Sequence, residues 1–300
     1  MQFTKKGITI AQQAQLLKGR NMGGALNVIE DRLRETGYFR LSGYWYPFLD
    51  PTRLWFNPGT TIDEVWRRYT FDRRLRVLVF DAIERIEVFV RAALADAIVQ
   101  SNATGDPFAY AHDRNVFLNA GQKGYARLLQ KLLKDHSVNS KSEFIVHFNK
   151  VYGDCHDTLP LWMATEIMTF GTVEDMFKFV DAGVQQKISA LFGVKDVVFR
   201  SWLKTLRAVR NLVAHHGRLW NRSIRMKPII PNKDPMWRVP VRIANDRTFG
   251  ILSICRYCLK SIAPQSKWQS RLEGLFSEYQ DISLSDMGFP ANWRQSKIWE

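Results

Sequence analysis

The sequence predicts an all-α protein, and three observations carry that prediction. Apolar residues recur every three or four positions, most regularly between Ile62 and Ala97. Helix punctuation brackets several stretches, with Thr9 near the start and Gly19 at the end of the first. Prolines gather in connections, at Pro51 and Pro58 and again at Pro228, Pro231, Pro235 and Pro240.

Taken in order, helices are expected over 8–19 and 27–35. The segment Tyr38 to Phe48 then packs six aromatics into eleven residues. Core packing is its first reading; a base-stacking platform is the rival and requires exposed rings. A turn-rich connection at 51–61 leads into the strongest helix, 62–97, where Leu75, Leu78, Val79, Ala82, Ile83, Ile86 and Val90 form an apolar stripe. Asp81 with Arg85 and Glu87 with Arg91 stand four apart, as surface ion pairs or as charges turned inward to orient Arg210 and His215. Residues 101–117 read as a polar loop. Helices follow over 125–136, 143–152, 160–170, 172–180, 185–192 and 197–216. The prolines of 228–240 suggest irregular chain around a short hairpin, before helices over 247–263 and 267–280 and an aromatic tail, 287–300.

Composition narrows the function. With 46% hydrophobic and 24% charged residues, disorder is excluded for the chain as a whole. No run approaches the ~20 apolar residues that cross a bilayer, and Met1 to Lys18 has no apolar signal core, so a cytoplasmic protein without a membrane partner is expected. Three cysteines argue against a disulfide framework. Cys255 and Cys258 form a C-x-x-C that reads as two small apolar residues on a helix. His112, His136, His147 and His156 lack ligand spacing, so neither a metal nor a cofactor is expected. Phosphate-loop, dinucleotide, zinc-hydrolase and serine-hydrolase motifs are absent.

The net charge is +14, and it is concentrated. Between Arg200 and Arg247, twelve Lys or Arg face only Asp234 and Asp246, a local charge of +10 that suits a polyanion such as RNA. Within this stretch lies Arg210-Asn211-Leu212-Val213-Ala214-His215. Asn211 and His215 are about one turn apart on one face, with Arg210 at its edge. Gly217 is the expected helix stop, which places His215 and His216 in the last turn, where the helix dipole favours imidazolium. Trp202, Leu206, Val209 and Val213 supply a buried stripe, and Arg207 lies one turn before Asn211.

The run from Arg210 through His215-His216-Gly217-Arg218-Leu219-Trp220-Asn221-Arg222 resembles the signature of the Abi-like family of bacterial abortive-infection proteins, the AbiD and AbiF group. The likeness extends to Gly37–Phe48, Tyr69–Arg76, Ile83–Glu87 with Arg91, and Met287–Trp293. That family is grouped with the HEPN superfamily, all-helical domains in which an R-x(4-6)-H motif serves metal-independent RNA cleavage. The resemblance implies one Abi-like domain over 1–300: a helical and aromatic extension (1–60), a HEPN-like helical core (61–225) and a C-terminal helical extension (226–300). It implies a phage-defence role, with Arg210 and His215 as the catalytic pair and Asn211 as their polar neighbour. Some relatives are thought to pair with a noncoding RNA.

Cleavage by the adjacent 2′-hydroxyl needs a base, an acid and a cation on the phosphate, with base and acid on opposite sides of the phosphorus. One motif is half of that set, so a site shared across a homodimer is expected. His216, Arg207, Arg218, Arg222 and Arg225 are the candidate RNA contacts, and Asn211 is expected to orient His215. Two alternatives stay open. One is a non-catalytic RNA-binding protein. The other is a structural motif in which Arg210 closes an ion pair with Glu84 or Glu87.

Overall fold

In the computed structural model, which describes Gln2 and residues 6–300, thirteen α-helices and no strand occur among the described residues. They are α1 (Ile10–Gly19), α2 (Leu26–Thr36), α3 (Tyr38–Trp45), α4 (Ile62–Ser101), α5 (Ala109–His112), α6 (Gly121–Asn139), α7 (Glu143–Tyr152), α8 (Leu161–Ile167), α9 (Phe170–Phe179), α10 (Ala182–Ala190), α11 (Asp196–Ala214), α12 (Thr248–Ile262) and α13 (Trp268–Glu278).

The 40-residue α4 is the axis of the molecule. A capping box starts it: the Thr61 hydroxyl accepts from the Glu64 N–H and the Glu64 carboxylate accepts from the Thr61 N–H. Helices α2, α3 and α8 to α13 all pack on it, an arrangement that requires apolar residues on more than one side. The expected stripe is buried accordingly, with Leu75, Val79, Ala82, Ile83, Ile86 and Val90 all inaccessible to solvent.

Three expectations change. The aromatic run is partly a helix, α3, whose Leu41, Tyr44 and Trp45 enter the core while Phe39 and Tyr46 stay outside. The polar stretch 101–117 is not simply loop: α5 and a 3-10 segment, Arg114–Ala120, bury Tyr110 and Phe117. Tyr110 is held by a hydroxyl bond to the Leu159 carbonyl at 2.7 Å. No hairpin forms among the prolines of 228–240, which lack the N–H donors a ladder needs. That segment is instead anchored by Trp237, fully buried against Trp202 and Tyr257.

The aromatic tail is core. Phe289, Trp293 and Trp299 pack with Phe249 of α12 and Phe276 of α13, and the Trp299 indole N–H donates to Ser253 Oγ at 3.0 Å. Cys255 and Cys258 are buried free thiols on α12, and burial pushes Cys255 up to about 12, so it stays protonated as a small apolar residue does.

Candidate functional site

Helix α11 presents its buried stripe as expected, with Trp202, Leu206, Val209 and Val213 in the core. It stops at Ala214, earlier than the glycine suggests. The Gly217 N–H reaches the Leu212 carbonyl (2.8 Å) and the His216 N–H the Val213 carbonyl (3.0 Å). This is a Schellman ending, with His215 as the cap and His216 in the left-handed position at φ 58°. Gly217 is closely packed next to it: a Cβ there would lie 2.3 Å from Leu212 Cδ1, and that side chain would have to move. Both histidines are exposed. A left-handed conformation strains any residue with a Cβ, so His216→Gly should raise stability by roughly 0.5–1 kcal/mol. Thermal melting checks this, and a destabilised variant would mean that the imidazole itself holds the turn.

What holds the turn lies outside α11. The carboxylate of Asp72, fully buried in α4, accepts from the N–H groups of Leu219 (3.0 Å) and Trp220 (2.6 Å). Its other oxygen accepts from the Tyr44 hydroxyl (2.6 Å) and from Arg76 Nη1 (2.8 Å). Burial pushes the Asp72 carboxyl up, against the pull of Arg76 and the other donors. Burial and the adjacent Asp72 charge also push the Tyr44 phenol well up, so it remains a donor. The His216 carbonyl accepts from Arg40 (2.7 Å) and Arg76 (3.4 Å), and Arg218 donates to the Gly43 carbonyl. Helices α3 and α4 thus fix the backbone from His216 to Trp220 through one buried carboxylate and three arginines.

Five of the eight candidate residues line one of two hollows. Asn211 and His215 line a groove of about 410 Å³ with Arg222 and Arg225, over a floor that includes Ala208, Leu212, Ile224 and Met226. Asn211 and His215 are linked through the main chain, the His215 N–H donating to the Asn211 carbonyl at 3.0 Å. Arg210 lies elsewhere, in a hollow of about 200 Å³ lined also by Phe80, Glu87, Arg91 and Glu166. Its Nε is 3.7 Å from Glu87 Oε2. Glu87 is buried and also pairs with Arg91, which donates to the Thr165 carbonyl of α8. Asp81 and Arg85, by contrast, form a more open pair at 3.3 Å.

Arg207 is engaged with Glu174 at 2.5 Å, and burial pushes that carboxyl up against the pull of Arg207. Arg222 reaches only the Arg218 carbonyl at 3.5 Å, and Arg225 is exposed. Of the basic stretch, then, Arg222 and Arg225 rim the His215 groove, Arg207 and Arg218 are tied into the fold, and Arg210 is half-buried near Glu87 with its Nε unbonded. An apolar cavity of about 130 Å³ between α6 and α8 contains none of these residues.

A family model described as Abi-like protein matches residues 31–221. The chain belongs to the Abi-like family. Membership ties it to abortive infection, a form of phage defence. No curated protein and no solved structure matches it. The family match spans the whole apparatus around the Abi-like turn, from Arg40 and Tyr44 through Asp72, Arg76 and Glu87 to Arg210 and Asn221, and ends just before Arg222 and Arg225. No helix among the described residues is long and apolar enough to cross a membrane.

The Asp72 network lies outside the candidate site residues, although Asp72 and Arg76 fall in the Tyr69–Arg76 segment of the family likeness. A signal for it exists in the numbering. Asp72 lies seven and fourteen residues before Val79 and Ile86, and Arg76 likewise before Ile83 and Val90, so both charges continue the buried stripe of α4.

Proposed function

We propose that this chain is an abortive-infection endoribonuclease of the HEPN type, acting without a metal through His215 and Arg210. The observation that carries the reading is the groove in which exposed His215 and Asn211 stand beside Arg222 and Arg225. His215 takes the proton of a ribose 2′-hydroxyl and the freed oxygen attacks the adjacent phosphorus. The P–O5′ bond breaks, and the departing O5′ takes a proton from an imidazolium on the opposite side. The products are a 2′,3′-cyclic phosphate and a 5′-hydroxyl. Arg222 and Arg225 neutralise the flanking phosphates.

The acid and the second cation come from another copy of the chain, packed so that two motifs share one cleft on a two-fold axis. The separation of Arg210 from His215 supports this. Within one chain they open on different hollows, so a cleft bounded by both needs a second surface.

A second reading is an RNA-binding protein without turnover, paired with a structured noncoding RNA; the approach of Arg210 Nε to Glu87 Oε2 at 3.7 Å, the contact a structural Arg210 would make, takes that cation out of catalysis. Incubation with a mixed RNA pool in the presence of a chelator, followed by analysis of the ends, separates the two. New cyclic-phosphate ends support the nuclease. RNA bound but never cut, including during phage infection, overturns it in favour of the binder.

A further inference from the structure

We propose that the outward face of α3 is a stacking platform for the bases of single-stranded RNA leading to the His215 groove, an inference that rests on the RNA reading above. The aromatic run that contains α3 splits sharply. Tyr44 and Trp45 are buried, whereas Phe39 is 92% exposed and Tyr46 48% exposed. Burying a phenylalanine gains roughly 1.5–3 kcal/mol, and nothing in the fold of this chain collects that gain from Phe39.

Phe39 and Tyr46 are seven residues apart, and Tyr46 continues helical backbone at φ −51° and ψ −38°. They therefore share one face, about 10.5 Å apart along the axis. Between them is Gly43, where an added Cβ would meet nothing nearer than Arg218 Cδ at 4.0 Å. Packing does not demand a glycine there, although one costs a helix interior roughly 0.5–1 kcal/mol relative to alanine. Between the two rings α3 thus presents only backbone, with the Arg218 side chain at van der Waals distance.

This face adjoins the motif. Arg40, beside Phe39, donates to the His216 carbonyl at 2.7 Å, and Arg218 reaches the Gly43 carbonyl. Its charge suits a polyanion: the Arg53 guanidinium lies 4.8 Å from the Tyr46 ring centre, and Arg40 and Arg53 are exposed. Two acids lie nearby in sequence. Glu35 is 3.9 Å from Arg32, and Asp50 accepts from the Thr52 hydroxyl at 2.8 Å and from the Leu54 and Trp55 N–H groups. Exposed rings interleaved with arginines fit nucleobases above and phosphates beside them.

The test is binding of a fluorescein-labelled single-stranded RNA pool, read by anisotropy across a salt series in His215→Ala protein to prevent turnover. Adding Phe39→Ala and Tyr46→Ala should weaken binding on the order of 10-fold or more. The slope of log affinity against log salt should stay unchanged, because no phosphate contact is lost. Arg222→Ala should instead flatten that slope. Phe39→Trp should keep the affinity, and its fluorescence should be quenched by RNA. If the ring deletions bind as before while Arg222→Ala weakens binding, the platform is overturned and the RNA reading stands. No RNA binding even with all rings present overturns both. Unchanged RNA binding with loss of self-association in sedimentation overturns the platform in favour of a contact between copies.

Discussion

Asp72→Ala is expected to destabilise the fold by about 3–5 kcal/mol, out of the 5–15 kcal/mol or so that holds a typical domain together. The side chain is fully buried and accepts four hydrogen bonds, two from the Leu219 and Trp220 N–H groups, one from Tyr44 and one from Arg76. Removing it leaves a guanidinium that is 6% exposed without its counter-charge, together with two unpaired main-chain donors. The cost is that of unpaired buried groups, larger than the net value of the bonds themselves. Tyr44→Phe removes the donor to Asp72 and an acceptor of Arg76 but leaves the charge pair intact, so about 1–2 kcal/mol is expected. Urea unfolding at constant m-value measures both. An Asp72→Ala midpoint indistinguishable from that of the unaltered protein would show that the carboxylate does not anchor the turn. The surviving folded molecules should also bind RNA poorly, because the backbone from His216 to Trp220 has lost its hold on α4.

That network shows where sequence legibility ends. The fold class was readable because α4 and α11 bury stripes whose period survives in the residues themselves, such as Leu75, Val79 and Ile86 or Trp202, Leu206 and Val209. Charge pairs of identical spacing were not equally readable. Asp72 with Arg76, Asp81 with Arg85 and Glu87 with Arg91 are all four apart, yet the first and third are buried and the second is not. Their angle to the apolar stripe decides this, and what packs on α4 at each angle is a tertiary fact. Helix α3 was hidden for a related reason. Gly43 and Pro47 interrupt its pattern, and its rings serve two environments, so no single period describes it. For the candidate site, the grouping of Asn211 with His215 followed from a spacing of four. The spacing of five between Arg210 and His215 places them about 140° apart on a helix, which leads to separate hollows. The hold of Arg40 and Arg76 on the His216 carbonyl has no counterpart in local spacing, since it joins positions 176 and 140 residues apart.

His215→Ala is expected to lower RNA cleavage by a factor on the order of 10² to 10⁴, the usual worth of a positioned acid or base. Stability should change little, since the residue is exposed and caps the helix through its backbone. The architecture of the site is tested by mixing. If one cleft on a two-fold axis uses His215 from both chains, as base and as acid, a dimer with one altered chain is inactive. Co-expression of equal amounts of His215→Ala and unaltered chains then leaves about a quarter of the dimers competent, against about half of the activity if each chain works alone. Activity near one quarter, measured on the mixed pool against the same total of unaltered protein, supports the shared cleft. Activity near one half shows one His215 per active centre, with Arg210 supplied either by the partner or by the same chain after leaving Glu87. Glu87→Gln, which weakens that hold, separates the cases further. It should raise the activity of a single-chain site by freeing Arg210, and lower that of a shared cleft, where Glu87 fixes the guanidinium that one chain offers to the other.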